Sequence, residues 1–239
     1  MPYAPGSSSL GHRCEDAIMV VTIQARESVA VLTLDDGNVN AMSYEFLIEA
    51  LAGFRQASEE FDAVVIAGNA KCLSAGFDLT EVIKGPEQRD AIINAGGDLF
   101  ISIFTCPKPV VVACTGHAVA GGVIYLLVAD SRIGRADKLR IGFNEVSIGV
   151  PMPDFGIALS QYRLSPSRVE EVLLGDMYNA EQAVDVGLLD RVVGGESADV
   201  IEAAIARASE LASRNADAYG QTKLAARAEL IKRFGEENT

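Results

Sequence analysis

The chain has few of the residues that would signal a structural metal, a disulfide scaffold or a membrane span. Its four cysteines, Cys14, Cys72, Cys106 and Cys114, show neither Cys-x-x-Cys spacing nor the density of a secreted scaffold. They read as reduced thiols of a cytoplasmic protein. No cluster of Cys, His and carboxylate has metal-ligand spacing, so no metal is expected. Nowhere does an apolar run approach the roughly 20 residues that span a bilayer, so no membrane partner is expected. Neither a phosphate loop nor a Gly-x-Gly-x-x-Gly follows a strand. Basic residues are also scarce: 20 Lys and Arg stand against 33 Asp and Glu, a formal net charge of −13. Such a surface repels nucleic acid and anionic membranes, and a polyanionic ligand needs a local basic patch. The 239 residues contain no separating linker and no internal repeat, which predicts one large domain.

Residues 1–18 are rich in turn formers and lack the apolar core of a signal peptide. They are expected to form a disordered leader, with Met19 a candidate original start.

What is present is clearest at the centre. Val110 to Cys114 has the length and β-branching of a buried strand. Thr115-Gly116-His117-Ala118-Val119-Ala120-Gly121-Gly122 then leads into an apolar run, ending at Asp130, that is too long for another strand. The pattern predicts strand, glycine turn and buried helix. The first N–H groups of such a helix have no intrahelical partner, and with the helix dipole they suit a developing negative charge. Tight helix–strand packing explains the glycine pair equally well. A second buried strand, Ala63 to Gly68, leads through Asn69-Ala70-Lys71 into Cys72-Leu73-Ser74-Ala75-Gly76-Phe77-Asp78-Leu79. Two strand ends followed by small-residue turns can converge.

Around these, Val29 to Leu34 reads as a strand closed by Asp35-Asp36-Gly37-Asn38. Ser43 is placed to cap a helix whose face carries Phe46, Leu47, Ala50, Leu51 and Phe54. Helices are expected from Asp78, from Glu87 to Phe104, from Pro153 to Leu164, from Ser167 to Leu174 and from Ala180 to Val186, with extended chain at Leu188 to Val193. Two longer helices, Ser197 to Ser213 and Ala216 to Phe234, finish the chain. Strand–helix units followed by pure helix predict an α/β fold with a helical appendage. Glu145 lies among Phe143, Val146, Ile148 and Val150, and apolar surroundings would raise its pKa.

From about Val29 to Val193 these stretches resemble the enoyl-CoA hydratase/isomerase (crotonase) superfamily. The resemblance implies a crotonase-like ββα spiral core with a C-terminal helical trimerisation region, which divides the chain into an acyl-CoA-binding core at 19–195 and a helical region at 196–239. It implies an acyl-CoA substrate with coenzyme A as thioester carrier, no covalently bound cofactor, and a homotrimer or dimer of trimers. Ile201, Ala204, Ile205, Ala208 and Leu211 offer an apolar face for that assembly. By position, the backbone N–H groups of Phe77 and Gly121 would hold the thioester carbonyl. Ala120 stands where three glycines are usual. Ala41, Lys71, Ala75, Gly76, Asp78 and Leu79 fall along the cofactor path, and Lys71, Lys84, Arg89 and Lys223 are candidates for a phosphate patch.

The hydratases of the superfamily use two glutamates. At the first position this chain has Ile124, which cannot transfer a proton. The second, allowing one inserted residue in the loop before it, falls on Glu145 in Phe143-Asn144-Glu145, similar to the Leu-Asn-Glu of single-glutamate 3,2-enoyl-CoA isomerases. Adding water needs one group to activate water and one to deliver a proton, whereas moving a double bond needs a single base. The resemblance therefore implies isomerisation, with a 2-enoyl-CoA hydratase and a non-catalytic acyl-CoA-binding protein as alternatives. Met152 and Phe155 stand within the segment that replaces the usual Pro-Gly-x-Gly-Gly and, with Ile124, would shape the acyl pocket. Asp154 is either a further acid near that pocket or the first-turn acid of a helix. Ser74 and His117 raise a serine-hydrolase alternative, which lacks a Gly-x-Ser-x-Gly elbow.

Overall fold

A computed structural model describes residues 20–237; the expected leader, Cys14 and Met19 lie outside the described residues. In chain order the elements are β1 (Val21–Arg26), β2 (Val29–Leu34), α1 (Tyr44–Glu60), β3 (Ala63–Ala67), β4 (Cys72–Ser74), α2 (Leu79–Val82), α3 (Pro86–Thr105), β5 (Val110–Cys114), β6 (His117–Val119) and α4 (Gly121–Val128). The second half gives β7 (Ser131–Arg135), β8 (Ile141–Gly142), a 3-10 turn at Val146–Ile148, α5 (Asp154–Arg163), α6 (Val169–Leu173), α7 (Ala180–Asp185), β9 (Arg191–Val193), α8 (Ser197–Ala212) and α9 (Ala216–Glu237). The helix faces follow the sequence pattern. Ser43 caps α1 by accepting the Phe46 N–H at 3.1 Å, and Phe46, Leu47, Ala50, Leu51 and Phe54 are buried.

The larger sheet has the order β1-β2-β3-β5-β7-β9 and is parallel from β2 onward. Its antiparallel edge strand β1 was not expected, because only Val21 of its six residues is buried and pairing with β2, rather than an apolar face, makes it a strand. β3 and β5 are buried on every residue, as central parallel strands covered on both faces must be. Val64, Ile66, Val110 and Val112 face the main core with α1, α3 and α4. Val65, Ala67, Val111 and Ala113 face the other way, onto Val200, Ala204, Ala208 and Leu211 of α8. Here the structure corrects the expectation of an uncovered α8 face: Ala204, Ala208 and Leu211 are buried within the chain itself, with Ile201 and Ile205 packed beside them. Burying Val200 and Leu211 contributes about 1.5–3 kcal/mol each, which holds α8 on the sheet.

The second sheet, β4-β6-β8, is parallel and positions the site. The sequence pattern did not reveal its strands, which are two or three residues long. Each follows a strand of the large sheet, β3 to β4, β5 to β6 and β7 to β8, so three ββα turns stack in the same order in both sheets. The corners between the sheets are tightly crossed. A Cβ on Gly116 would lie 2.3 Å from the Lys71 carbonyl carbon, and Thr115 Oγ1 donates to the Gly68 and Asn69 carbonyls at 3.0 and 2.8 Å.

Asn40 ties the layers together. It is fully buried at φ +52°, and its Nδ2 donates to the carbonyls of Leu34 (2.8 Å), Cys72 (3.0 Å) and Leu73 (3.1 Å). Its Oδ1 accepts the Asp36 N–H at 2.9 Å. One side chain thus joins the end of β2 to β4. Asn40→Ala leaves these buried groups without that partner and is expected to destabilise the chain by about 2–4 kcal/mol in denaturant unfolding; a change below about 0.5 kcal/mol would remove Asn40 from this role.

Candidate active site

The first turn is built by hydrogen bonds on either side of Phe77. Ser74 Oγ donates to the Asn40 carbonyl at 2.7 Å and accepts the Gly76 N–H at 3.1 Å, while the Ala75 N–H donates to Val39 at 3.0 Å. Met42 N–H donates to the Gly76 carbonyl at 2.8 Å, and Asp78 N–H donates to the Met42 carbonyl at 3.0 Å. The Phe77 N–H between them has no acceptor among the described residues.

The second turn follows β6. Ala120 N–H donates to the Gly142 carbonyl at 3.1 Å, and at φ 52°, ψ −130° the chain reverses into α4. The Gly121 N–H is the first of that helix and likewise has no acceptor among the described residues. The two turns touch: a Cβ on Gly76, which sits at φ +92°, would lie 2.7 Å from the Ala120 Cβ and 3.0 Å from the Gly121 nitrogen. A Cβ on Gly121 would meet Met42 Cε at 2.7 Å and the Phe77 ring at 3.6 Å. The open Phe77 N–H and, in the adjoining turn, the open Gly121 N–H at the N-terminus of a buried helix suit the oxygen of a polarised carbonyl. Ala120 holds a backbone conformation that belongs to glycine, at a cost of about 1–3 kcal/mol.

α4 is buried along its whole length. Its far end is closed by Arg163, whose Nε donates to the Leu127 carbonyl at 2.9 Å and whose Nη2 donates to the Ala129 carbonyl.

Glu145 is tied to the second turn through the small sheet. β8 pairs with β6, Val119 opposite Gly142, so the residue accepting the Ala120 N–H lies three positions before Glu145. Burial raises the Glu145 pKa, and the backbone N–H groups of Glu145 and Asn144 pull the other way. Its Oε2 and the Asn144 Oδ1 are buried without a partner among the described residues. The expected apolar surroundings need correction. Phe143 is buried, but Val146, Ile148 and Val150 are 44–50% exposed, because the 3-10 turn after Glu145 swings them outward.

The pocket residues divide. Ile124 is buried, and Met152 lies on Gly156, where an added Cβ would be 2.8 Å from Met152 Cε and 3.8 Å from Ile124 Cδ1. Phe155 instead packs on Phe234 (4.4 Å between ring centres) and Phe100 (6.4 Å). Asp154 is exposed as the first residue of α5, a favourable place for an acid beside the helix dipole. Gly96 of α3 was not recognised from the sequence; a Cβ there would strike the Phe77 ring at 2.7 Å. The glycine pair Gly96-Gly97 inside a helical pattern was the signal that could have marked it.

Along the expected cofactor path, the Ala41 N–H donates to Asp36 at 3.2 Å, and Lys71 Nζ donates to Asn38 Oδ1 at 3.1 Å from an exposed position. Asp78 caps α2 by accepting from the Thr80 N–H and hydroxyl, and Leu79 is exposed beside it. Arg89 pairs with Asp90, and Lys84 is exposed. Lys223 does not join them: its ammonium is buried against Asp130 (2.6 Å) and the Lys108 carbonyl (2.9 Å). The serine-hydrolase alternative also fails. Ser74 Oγ is committed to Asn40 and Gly76, and His117 Nδ1 accepts the Arg140 N–H at 3.0 Å.

The sequence profile of the enoyl-CoA hydratase/isomerase family matches residues 24–237. A probable enoyl-CoA hydratase of Bacillus subtilis is 28% identical over 201 residues, 82% of this chain and 77% of that one. Enoyl-CoA delta isomerase 3 of Arabidopsis thaliana is 26% identical over 225 residues, 88% and 93% of the two chains. A crystal structure of an enoyl-CoA hydratase/isomerase family protein from Pseudomonas syringae superposes with a TM-score of 0.87 at 36% identity, covering 91% of this chain and 94% of that one. With two open backbone donors where the ββα turns meet and a profile match over nearly its whole length, the chain belongs to the enoyl-CoA hydratase/isomerase family.

Proposed function

We propose that the chain is a 3,2-enoyl-CoA isomerase in which Glu145 is the single proton-transferring group. The observation that carries this reading is a half-buried Glu145, one oxygen of which lacks a partner among the described residues, in a chain whose first turn of α4 carries the buried, apolar Ile124. The thioester oxygen accepts hydrogen bonds from the Phe77 and Gly121 N–H groups. Glu145 takes a proton from C2, and the electron pair moves through the thioester to leave an enolate on that oxygen. The protonated Glu145 then delivers the proton to C4 while the double bond settles between C2 and C3. No water is consumed and the carboxylate is regenerated. Each donor to the enolate contributes on the order of 100-fold to 1000-fold in rate.

We further propose a homotrimeric or hexameric assembly. It no longer rests on α8, whose apolar face is used inward. Val146, Ile148, Val150 and Leu174 are exposed around the Glu145 loop, and Gly175 lies against Ser147 and Val146, so these side chains form a neighbouring apolar surface that a second copy would cover. A monomer in sedimentation at micromolar concentration would overturn this.

Glu145→Gln keeps shape and hydrogen bonding while deleting the base. It should lower kcat for 3-enoyl-CoA isomerisation by about 100-fold to 10,000-fold with little change in acyl-CoA affinity. Full activity in this variant would place the base elsewhere. In the wild type the acid limb of kcat against pH should lie above the ordinary glutamate range, since burial raises the pKa and only the ionised carboxylate accepts a proton. Ile124→Glu adds the carboxylate that a hydratase needs and should raise hydration of 2-enoyl-CoA from a low baseline. Rapid hydration by the wild type would make hydratase the correct assignment.

A further inference from the structure

We propose that the hollow between α5, α8 and α9 is a second ligand site, for a small organic phosphate, separate from the acyl-CoA site. It is a cavity of about 540 Å³ whose walls carry five cations, Arg163, Arg207, Arg214, Lys223 and Arg227, and one carboxylate, Asp130. In a chain with a net charge of −13, a quarter of the 20 basic residues converge on it.

The existing carboxylates do not balance these charges. Asp130 serves the Val110 N–H, Lys223 at 2.6 Å and Arg227 at 2.7 Å, and Glu210 at the rim serves Arg207 at 2.7 Å and Arg214 at 3.4 Å. Among the described residues, Arg163 donates only to main-chain carbonyls at the end of α4. Five cations thus share two carboxylates. The floor is buried, with the Lys223 and Arg227 side chains 7% and 4% exposed, so their repulsion is weakly screened. Burial, with Arg132 and Arg227 nearby, lowers the Arg163 pKa to about 10, and burial also lowers that of Lys223. An anion entering the hollow relieves this repulsion.

The donors indicate what kind of anion. Guanidinium groups bind phosphate through paired N–H donors, and a dianion offsets more of the excess charge than a single carboxylate. The volume falls in the range of small-molecule sites, and Tyr162 and Tyr219 line the wall that an organic moiety would meet. The place is distinct from the acyl-CoA site. Arg163 holds the C-terminal end of α4, whereas the open Gly121 N–H is at its N-terminal end, about 12 Å away by helical rise. The inference does not depend on isomerisation being the reaction.

Titration calorimetry on the full chain, with 5′-AMP and inorganic phosphate as probes and adenosine as the uncharged control, tests it. 5′-AMP should bind with strong salt dependence and adenosine should not. Equal binding of inorganic phosphate would assign recognition to the phosphate alone, and weaker binding would assign part of it to the ring, both within the proposal. Arg207 and Arg214 stand at the rim, so the double variant Arg207→Gln/Arg214→Gln should fold as the wild type does by circular dichroism and bind 5′-AMP at least tenfold more weakly. Lys71→Gln/Lys84→Gln, on the expected cofactor path, should leave that binding unchanged. Three results overturn the proposal: no binding of either phosphate at millimolar concentration, binding unaffected by the arginine changes, or binding lost with the two lysines instead.

Discussion

Two backbone N–H groups can stay open in a protein interior only when every neighbouring peptide is held in place without them. Around Phe77 the restraint is local and complete. Gly76 is held through both its N–H and its carbonyl, and Asp78 through its N–H, by Ser74 and Met42. Ser74 in turn is set by Asn40, whose amide grips both β2 and β4. Around Gly121 the restraint comes from β8, which accepts the Ala120 N–H, and from the close approach of Gly76, where a Cβ would collide with Ala120. The donors are preorganised because the scaffold about them cannot relax to pair them.

The helix that presents Gly121 carries this constraint into the core. α4 is apolar on every side, so its position is set by packing, and its C-terminal carbonyls need donors that water cannot provide. Arg163 supplies them from α5. Asp130, directly beyond the helix, draws in Lys223 and Arg227 from α9 and the Val110 N–H from β5. One buried helix therefore has a vacant donor at its front and a knot of cations behind it. The front is where the thioester oxygen is proposed to bind; the back forms the basic hollow.

Glu145 depends on the same scaffold in a different way. Its loop leaves β8, the strand that closes the second turn, and the 3-10 turn after it sends Val146 and Ile148 outward while the carboxylate stays half-buried. Desolvation makes the carboxylate a stronger base without any neighbouring charge. In this chain Ile124 contributes apolar surface, and Met152 packs beside it against Gly156.

The sequence by itself determined the elements whose signal is periodic or local. β2, β3 and β5 are continuous apolar runs because both faces are covered, and α1 shows its Ser43 cap and its buried stripe. The Ala75-Gly76 and Gly121-Gly122 pairs marked the two turns because close backbone approach leaves room for little else. Only the tertiary structure decided where the apolar faces go and which charges meet. α8 has an amphipathic pattern that fits a partner subunit as well as a sheet, and the sheet takes it. β4, β6 and β8 are too short to carry a period, and they exist through pairing across more than 20 residues of chain. Lys223 stands among the phosphate-patch candidates until Asp130, 93 positions away, is brought against it, because ion pairing depends on distance in space and leaves no mark on local spacing.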